Sequence, residues 1–294
     1  MTRRPAPART RAAFTIIELL IVVVIIALLA AMLLAGITKV RKYAVATQVT
    51  NDISLLETAC VKFKEDFGFN PPSTFTIPAV KNSADPNFIL FTKMYPRWMS
   101  AVADGTATGL PNAGVVLNGN QSMVYFLGGP GNNGWAIDAP LDAGAATTKK
   151  GPYFDFKPDR LTPGSAFGAP SALPVFLDPY KNPPAAPNGT PYAYFGSVAG
   201  GRYPAVACFG VMPFVETASG ATVVKYVNQG TVQIVSAGED GAFGPGCPLV
   251  GAVQCKYTAG QSAPAAGISP YGEGDVGADD IANFNGGSKL GVGK

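Results

Sequence analysis

The feature that most constrains this chain is an apolar run near its N-terminus. Residues 19–37 read LLIVVVIIALLAAMLLAGI, nineteen positions without a charged side chain. As a helix the run would be about 28 Å long, at about 1.5 Å per residue, which is enough to cross the hydrocarbon core of a bilayer. An Arg-rich start and the small residues Ala35 and Gly36 also fit a cleaved secretory signal. The run therefore predicts either a membrane anchor or a signal peptide.

Three features favour an anchor. The run is longer than the roughly 7 to 15 apolar residues of a signal-peptide core. Glu18 lies inside the apolar stretch of residues 14–37. Placing an unpaired carboxylate at mid-membrane costs about 2.5 to 3.5 kcal/mol, which indicates that Glu18 has a functional role. Apolar side chains then continue at the three- and four-residue spacing of a helix face, namely Val45, Val49, Ile53, Leu56, Cys60, Phe63 and Phe67. We therefore predict one helix over residues 14–67, with residues 14–37 as its transmembrane half.

A helix of this length, about 80 Å, has two different halves. The second half is amphipathic and can be covered by a globular domain, whereas the first is almost wholly apolar. The first half must then lie in lipid or against copies of itself, where a neighbour's positive N-terminus could neutralise Glu18. The helix is expected to stop at Gly68, because Pro71 and Pro72 forbid its continuation.

The charge distribution removes several functional classes. The 294-residue chain contains no histidine, which excludes a Ser-His-Asp triad, a Cys-His pair and a His-ligated zinc. Four of its 22 basic residues precede the apolar run, namely Arg3, Arg4, Arg9 and Arg11. Without those four, 18 basic residues face 19 acidic ones, so the chain has no basic patch for nucleic acid.

The junction between the basic leader and the apolar run resembles a known processing signal. Residues 13–22 read AFTIIELLIV, which is similar to the class III signal of type IV pilins and type II secretion pseudopilins. The resemblance implies that residues 1–13 are a leader and that a prepilin peptidase cuts between Ala13 and Phe14. It further implies that Phe14 is N-methylated and that Glu18 sets the register between subunits. The family usually has Gly before the cut, where this chain has the also small Ala13.

The same resemblance implies a location and partners. It implies a single pass through the inner membrane, with the N-terminus in the cytoplasm and the globular domain in the periplasm. It also implies polymerisation of copies through the N-terminal helix into a periplasmic or surface filament, assisted by an inner-membrane assembly platform and minor pseudopilins. Charge alone orients the chain weakly, since Lys39, Arg41 and Lys42 nearly balance the leader arginines.

The remainder, residues 68–294, reads as one globular domain with enlarged loops. Four segments rich in Tyr, Phe and Val are predicted strands, at residues 191–197, 205–215, 222–227 and 231–236. The last two flank Asn228-Gln229-Gly230 and predict a hairpin. We expect an α+β, pilin-like fold in which a small antiparallel sheet packs on the amphipathic half of the long helix. The glycine-rich residues 128–134 lack a phosphate-loop ending and predict a plain loop.

Two segments of this domain resemble the major pseudopilin of type II secretion. Residues 177–183 (LDPYKNP), followed by Tyr-Ala-Tyr at residues 192–194, are similar to that family's Asp-Pro-Trp-Gly-Asn-Pro-Tyr stretch. Residues 234–241 (IVSAGEDG) are similar to its Ile-x-Ser-x-Gly-x-Asp-Gly at the start of a calcium loop. The companion acids lie in residues 272–281, after an insertion of about thirty residues that the compact family loop lacks.

The residue types in these segments also suit calcium. Five of the 19 acids are candidate ligands among glycines, which let carbonyl oxygens turn inward, and Ca²⁺ takes six to eight oxygen ligands from such loops. The leading predicted ligands are Asp240, Asp275 and Asp279, with Asp280 and Glu273 as substitutes. A solvated acidic turn is the alternative, and the spacing does not fit an EF-hand.

The four cysteines divide into two kinds. Cys247 and Cys255 bracket seven residues inside the insertion, and outside the cytoplasm they are predicted to form a disulfide. Cys60 lies on the apolar stripe of the helix and is expected to be a buried small hydrophobe rather than a partner of Cys208.

These features favour a structural subunit over an enzyme. The leading hypothesis is a type II secretion pseudopilin with a structural calcium loop. A type IV pilus subunit or a pilus-tip adhesin is the alternative, since the N-terminal signal is shared and the globular domain is enlarged. A membrane-anchored enzyme with Asp275 and Asp279 as paired carboxylates is less favoured, because no nucleophile motif or cofactor fingerprint accompanies them.

Overall fold

The computed structural model divides into two compact units, Met1–Val45 and Ala46–Lys294. The described residues are 15–95, 103–110, 112–137, 148–181, 188–204, 206–214, 226–243, 279–285, 287, 289 and 290. Their helices are α1 (Ile16–Phe67), α2 (Pro86–Met94) and α3 (Gly119–Gly128). Their strands are β1 (Phe75–Thr76), β2 (Val116–Leu117), β3 (Trp135–Ala136), β4 (Lys149–Lys150), β5 (Leu161–Pro163), β6 (Pro174–Phe176), β7 (Ala193–Gly196), β8 (Val232–Ser236) and β9 (Ile281–Ala282). The expectation of an α+β fold with a long N-terminal helix is confirmed.

The end of α1 follows from the chemistry of one glycine. Gly68 has a left-handed backbone, with φ of +78°, which side-chain-bearing residues rarely adopt. In this conformation its N–H donates to the carbonyl oxygen of Lys64 at 2.7 Å, which satisfies one of the helix's last carbonyls. The predicted helix end is therefore confirmed.

The apolar face of α1 lies in the core of the second unit. Six of the side chains predicted by spacing are at most 7% exposed, namely Val49, Ile53, Leu56, Cys60, Phe63 and Phe67. The Phe63 ring packs edge-on against Phe69 at 5.3 Å and Phe126 at 5.7 Å between ring centroids. Cys60 and Cys208 are both buried, and neither is in a disulfide. The core is thus built on the three- and four-residue spacing of the helix.

A three-stranded antiparallel sheet forms the largest sheet in the described residues, with β8 between β7 and β9. Ala193 of β7 and Ala282 of β9 both pair with Val235 of β8. Every residue of the three strands is buried. The two polar side chains of β8 are hydrogen-bonded, Gln233 to Phe214 and Val227 and Ser236 to Asp178, as buried polar groups require. The predicted small antiparallel sheet is confirmed, and β7 and β8 lie within two predicted strands.

The predicted hairpin across residues 228–230 is wrong. The N–H of Val227 donates to the carbonyl oxygen of Phe214 at 3.2 Å, so Val227 pairs away from β8. The Asn283 side chain bonds the carbonyl oxygen of Val232 and the N–H of Ile234, which occupies β8 backbone groups at that end. Within residues 206–214 the described part of the predicted strand 205–215 forms a single bridge, between Cys208 and Val211. Residues 221–225 lie outside the described residues.

A buried ion pair links α1 to the β5–β6 region inside the second unit. Arg160 Nη1 lies 2.7 Å from Asp52 Oδ2, and both side chains are nearly buried. Arg160 also donates from Nε at 2.9 Å and from Nη2 at 2.6 Å to the carbonyl oxygen of Leu177. The hydroxyl of Tyr192 donates to Asp52 Oδ2 at 3.3 Å, and the guanidinium stacks 4.3 Å from the centroid of Phe176. The planar guanidinium therefore satisfies several partners at once.

Candidate functional site

The first candidate site is the start of α1, in the first unit. Glu18 Oε2 accepts a hydrogen bond from the N–H of Thr15 at 2.9 Å and another from its hydroxyl at 2.7 Å. In return the N–H of Glu18 donates to Thr15 Oγ1 at 3.3 Å. This reciprocal arrangement is a capping box, which satisfies backbone N–H groups that the first helical turn leaves without a carbonyl partner. Sequence reasoning missed this role of Glu18, although the Thr-x-x-Glu spacing is its signal.

The helix that follows presents an apolar surface. From Ile16 to Met32 every side chain is exposed, and the large apolar ones are 50% to 87% exposed. Glu18 is the one charged residue between them. A continuous exposed apolar surface marks an interaction site. Ala13 and Phe14, the predicted cleavage positions, lie outside the described residues.

In the described part of the chain, no helix is long and apolar enough to cross a bilayer.

The second candidate site is the loop that follows β8, in the second unit. The N–H groups of Glu239 and Asp240 both donate to Asp279 Oδ2, the latter at 2.9 Å. Gly238 has φ of +67°, and a Cβ there would lie 2.4 Å from the carbonyl oxygen of Asp279. The two segments approach this closely because position 238 is glycine. Asp240 Oδ1 accepts a hydrogen bond from the N–H of Ala242 at 2.8 Å. Two predicted ligands, Asp240 and Asp279, are thus brought into one loop.

The carboxylates of Asp240 and Asp279 influence each other electrostatically in this loop. Burial, and secondarily the negative charge of Asp279, raise the pKa of Asp240 above its ordinary value. Asp280 is 1% exposed, so its side chain is buried beside the loop. Among the residues that the structure describes, no three acidic, cysteine or histidine side chains are grouped to hold a metal. The other predicted ligands and the predicted disulfide fall outside the described residues, namely Glu273, Asp275, Cys247 and Cys255.

A further carboxylate, Asp178, is fully buried next to this loop. Its Oδ1 accepts the N–H of Thr190 at 3.0 Å, and its Oδ2 accepts the hydroxyl of Ser236 at 2.8 Å. The hydroxyl of Thr190 in turn donates to the carbonyl oxygen of Gly241 at 3.4 Å. Burial raises the pKa of Asp178 to about 6, and the hydrogen bonds oppose that shift. Asp178 therefore joins the chain at residue 190 to the end of β8.

Replacing Asp178 by asparagine is expected to change how stability depends on pH. The folded state raises the pKa of Asp178 from 3.8 to about 6, so the folded chain holds this proton more tightly than the unfolded chain. Its contribution to the free energy of unfolding is complete below the unfolded pKa and is lost as the pH rises through the folded pKa, a fall of about 3 kcal/mol. Denaturant titrations should therefore show Asp178→Asn gaining about that much over wild type between about pH 3 and about pH 7.

Asp66→Asn is the matched control for this experiment. Hydrogen bonds from Lys150, and then from Tyr153, lower the pKa of the exposed Asp66. The stability that Asp66 contributes is therefore present above its unfolded pKa and is lost as the pH falls through its folded pKa. The two variants should diverge from wild type in opposite directions, and a parallel pH profile for Asp178→Asn would contradict the role of burial.

Comparison with known proteins bears on the first site. Residues 8–34 match the family model described as the prokaryotic N-terminal methylation motif. The match includes Ala13, Phe14 and Glu18. Neither the search of curated proteins nor the search of solved structures gave a match. The chain thus carries a type IV prepilin-like signal, which supports a pilin-like precursor processed by prepilin peptidase and points to a structural subunit of a membrane-associated filament.

Proposed function

We propose that this chain is the precursor of a pseudopilin, a structural subunit of a type II secretion filament. The observation that carries the proposal is the start of α1, where the prepilin-like signal is followed by an exposed apolar helix with one carboxylate in its first turn. An apolar helical surface of this kind requires lipid or other apolar helices as its surroundings. Residues 1–13 are the leader, residues 14–67 the filament helix and residues 68–294 the globular domain.

Glu18 is proposed to serve two purposes during assembly. Cleavage before Phe14 creates a new amine four residues from Glu18, and methylation leaves that amine able to carry a positive charge. The hydrogen bonds from Thr15 engage Oε2 of Glu18, so Oε1 can accept a hydrogen bond from the amine of a neighbouring copy while the capping box stays intact. A charge-assisted hydrogen bond in an apolar environment gains strength from the low dielectric constant there. Glu18 would thereby fix the axial register of neighbouring helices.

Before assembly, the apolar half of the helix is proposed to reside in the inner membrane. Residues 14–37, of which residue 14 and the side chains of residues 33–36 lie outside the described part of the chain, would form a single pass. The N-terminus would be in the cytoplasm and the globular domain in the periplasm. The partners are prepilin peptidase, other copies of the chain, an inner-membrane assembly platform and minor pseudopilins.

The resemblance of two segments to the major pseudopilin supports secretion over a type IV pilus or a pilus-tip adhesin. Residues 177–183 and 234–241, which carry the resemblance to the major pseudopilin, are joined by the hydrogen bond from Ser236 to Asp178. Deletion of the gene is expected to retain secreted proteins in the periplasm and to leave surface pili unchanged. Loss of surface pili with normal secretion would instead assign the chain to a pilus. Complementation with wild type, and with Glu18→Ala as the assembly-deficient control, ties either phenotype to this chain.

The acidic loop is proposed to bind calcium as a structural ion. The donors suit this ion, because Asp240 and Asp279 are carboxylates held in one glycine-containing loop. Burial, and then the negative charge of Asp279, raise the pKa of Asp240, and a bound cation would offset both effects. Asp275 would complete the set, with Glu273 and Asp280 as substitutes. The bound ion would neutralise these carboxylates and give neighbouring subunits a rigid surface. Cys247 and Cys255 are proposed to form a disulfide within the adjoining insertion.

Removing calcium is expected to lower the melting temperature of the purified chain. A ligand at one hundred times its Kd stabilises the folded state by about 2.7 kcal/mol, which for a domain of this size is a shift of several degrees. Asp275→Asn should abolish the shift, whereas the exposed Asp155, replaced in the same way, should leave it intact. Melting in excess chelator and in excess Ca²⁺ measures the effect, and equal melting temperatures would rule out the site.

A further inference from the structure

A cavity of about 410 Å³ lies at the C-terminal end of α3, within the second unit. Its volume is in the range of roughly 300 to 1,000 Å³ that is usual for small-molecule sites. Its apolar walls come from Val124 of α3, Leu161 of β5, Leu173 and Pro174 around the start of β6, and the ring of Phe156. The glycine-rich run predicted to be a plain loop contributes residues 129–132 to the lining.

The walls are held in place by buried hydrogen bonds. The Asn120 side chain bonds both the N–H and the carbonyl oxygen of Phe176, which ties α3 to β6. Gln121 Nε2 donates to the carbonyl oxygens of Ser171 at 2.9 Å and Leu173 at 2.6 Å. Leu161 pairs with Phe176 across the β5–β6 ladder. The cavity is therefore a built feature of the folded domain rather than a gap between mobile loops.

Two residues that line the cavity each carry a buried polar atom without a hydrogen-bond partner in the described residues, the hydroxyl oxygen of Tyr125 and Oδ1 of Asn132. Such atoms are destabilising unless a further group bonds them. Tyr125 is 8% exposed, and its ring is fixed edge-on against Trp135 at 5.2 Å between centroids. Burial raises the pKa of Tyr125, so its hydroxyl stays protonated and can donate a hydrogen bond.

The charge of the lining narrows the class of ligand. None of the described residues that line the cavity is charged. A phosphate or carboxylate would lose its hydration without gaining a cation, which is strongly unfavourable. Gln121 and Asn112 also line the cavity, but the Gln121 amide already bonds Asn118, Ser171 and Leu173, so the lining offers few polar groups for the many hydroxyls of a sugar. A neutral molecule with one polar group fits both the walls and the two polar atoms.

We propose that this cavity binds a neutral, largely apolar molecule with one hydroxyl group, an alcohol or a phenol. Its apolar part would lie among the apolar walls, and its hydroxyl would donate to Asn132 Oδ1 and accept from the hydroxyl of Tyr125. This role is independent of filament formation, so either proposal can fail alone.

Binding of 2-naphthol to the full chain in detergent tests the proposal. In a Trp98→Phe background, Trp135 is the sole tryptophan, and energy transfer to bound naphthol quenches its emission. We expect saturable quenching at one site. Tyr125→Phe, which removes only the hydroxyl, should weaken the affinity for 2-naphthol about tenfold, which corresponds to a loss of about 1.4 kcal/mol of binding free energy. Leu161→Phe, which fills the cavity, should abolish the saturable signal.

Two related probes and the same variants show which results would overturn the proposal. Naphthalene should bind about tenfold more weakly than 2-naphthol, by the same fold-change as the lost hydroxyl contact. The anion 2-naphthoate should not compete. Quenching that is linear and equal in wild type and Leu161→Phe would mean partition into detergent and would overturn the proposal. Saturable binding that Tyr125→Phe leaves unchanged would overturn it too, and this arm remains decisive if Leu161→Phe fails to fold.

Discussion

Glu18→Gln is expected to abolish filament assembly while leaving the start of α1 intact. Glutamine can replace glutamate in a capping box, so the hydrogen bonds with Thr15 are retained. It carries no charge, however, and cannot form the charge-assisted bond to a neighbour's methylated amine. The yield of sedimentable filaments should fall at least about tenfold, since about 1.4 kcal/mol per subunit contact already has that effect. Glu18→Ala, which loses both roles, should be at least as defective.

Thr15→Val is the matched control. It removes the hydroxyl that bonds Glu18 and keeps both the size of the side chain and the carboxylate. The helix start should lose about 1 kcal/mol, and filaments should still form. Filament yield is compared among variants at equal amounts of processed, membrane-associated subunit. Normal assembly of Glu18→Gln together with failure of Thr15→Val would assign Glu18 to capping alone and would contradict its role in register.

Arg160→Ala is expected to lower the free energy of unfolding by about 3 to 5 kcal/mol. The substitution leaves Asp52 buried without its cation and removes two hydrogen bonds to the carbonyl oxygen of Leu177. It also removes the guanidinium from the ring of Phe176. Arg160→Lys should recover only part of the loss, because an ammonium group cannot bond Asp52 and Leu177 at once while stacking on Phe176.

The double variant Asp52→Leu with Arg160→Met distinguishes the effect of the two charges on stability from the effect of the volume that the two side chains fill. Replacing both partners by apolar residues removes the uncompensated charge, so the double variant should be more stable than Arg160→Ala. Denaturant unfolding of the wild type, of Asp52→Leu and Arg160→Met alone, and of the double variant gives the four free energies of the cycle. Single variants within about 1 kcal/mol of wild type, or a double variant as unstable as the sum of the two losses, would contradict a tightly coupled buried pair.

The long helix is the part of the fold that local pattern predicts best. Its buried face follows from the spacing of Val49, Ile53 and Phe63, and its end follows from the left-handed backbone of Gly68. Both signals act within a few residues of the chain, so a single sequence contains them. The capping box at Thr15 and Glu18 is equally local and could have been recognised from the spacing alone.

Features that depend on distant pairing could not be predicted in this way. Asp52 and Arg160 are separated by 108 residues, and nothing around either position indicates that both are buried. The hairpin prediction failed for the same reason. A turn at Asn228 is visible in the sequence. Which segment pairs with β8 depends on contacts between distant residues, however, and the N–H of Val227 donates to the carbonyl oxygen of Phe214 instead.

The candidate sites likewise combine features that a short stretch of sequence indicates with features that depend on contacts between distant residues. The methylation motif is a contiguous signal, and the match over residues 8–34 confirms it. The resemblance of residues 234–241 drew attention to Asp240, and the structure adds the contact of that loop with Asp279. Asp178 received no role from the sequence, because its hydrogen bonds to Thr190 and Ser236 form only when the chain returns to the end of β8. The calcium ligands remain a prediction.

Processing of the N-terminus is the most direct test of the filament role. Intact mass and N-terminal sequencing are to be carried out on the protein isolated from native membranes. We predict a chain that begins at Phe14 and carries one added methyl group. A chain that begins near Gly36 would lack Glu18 and most of the apolar helix, and would contradict assembly through that helix.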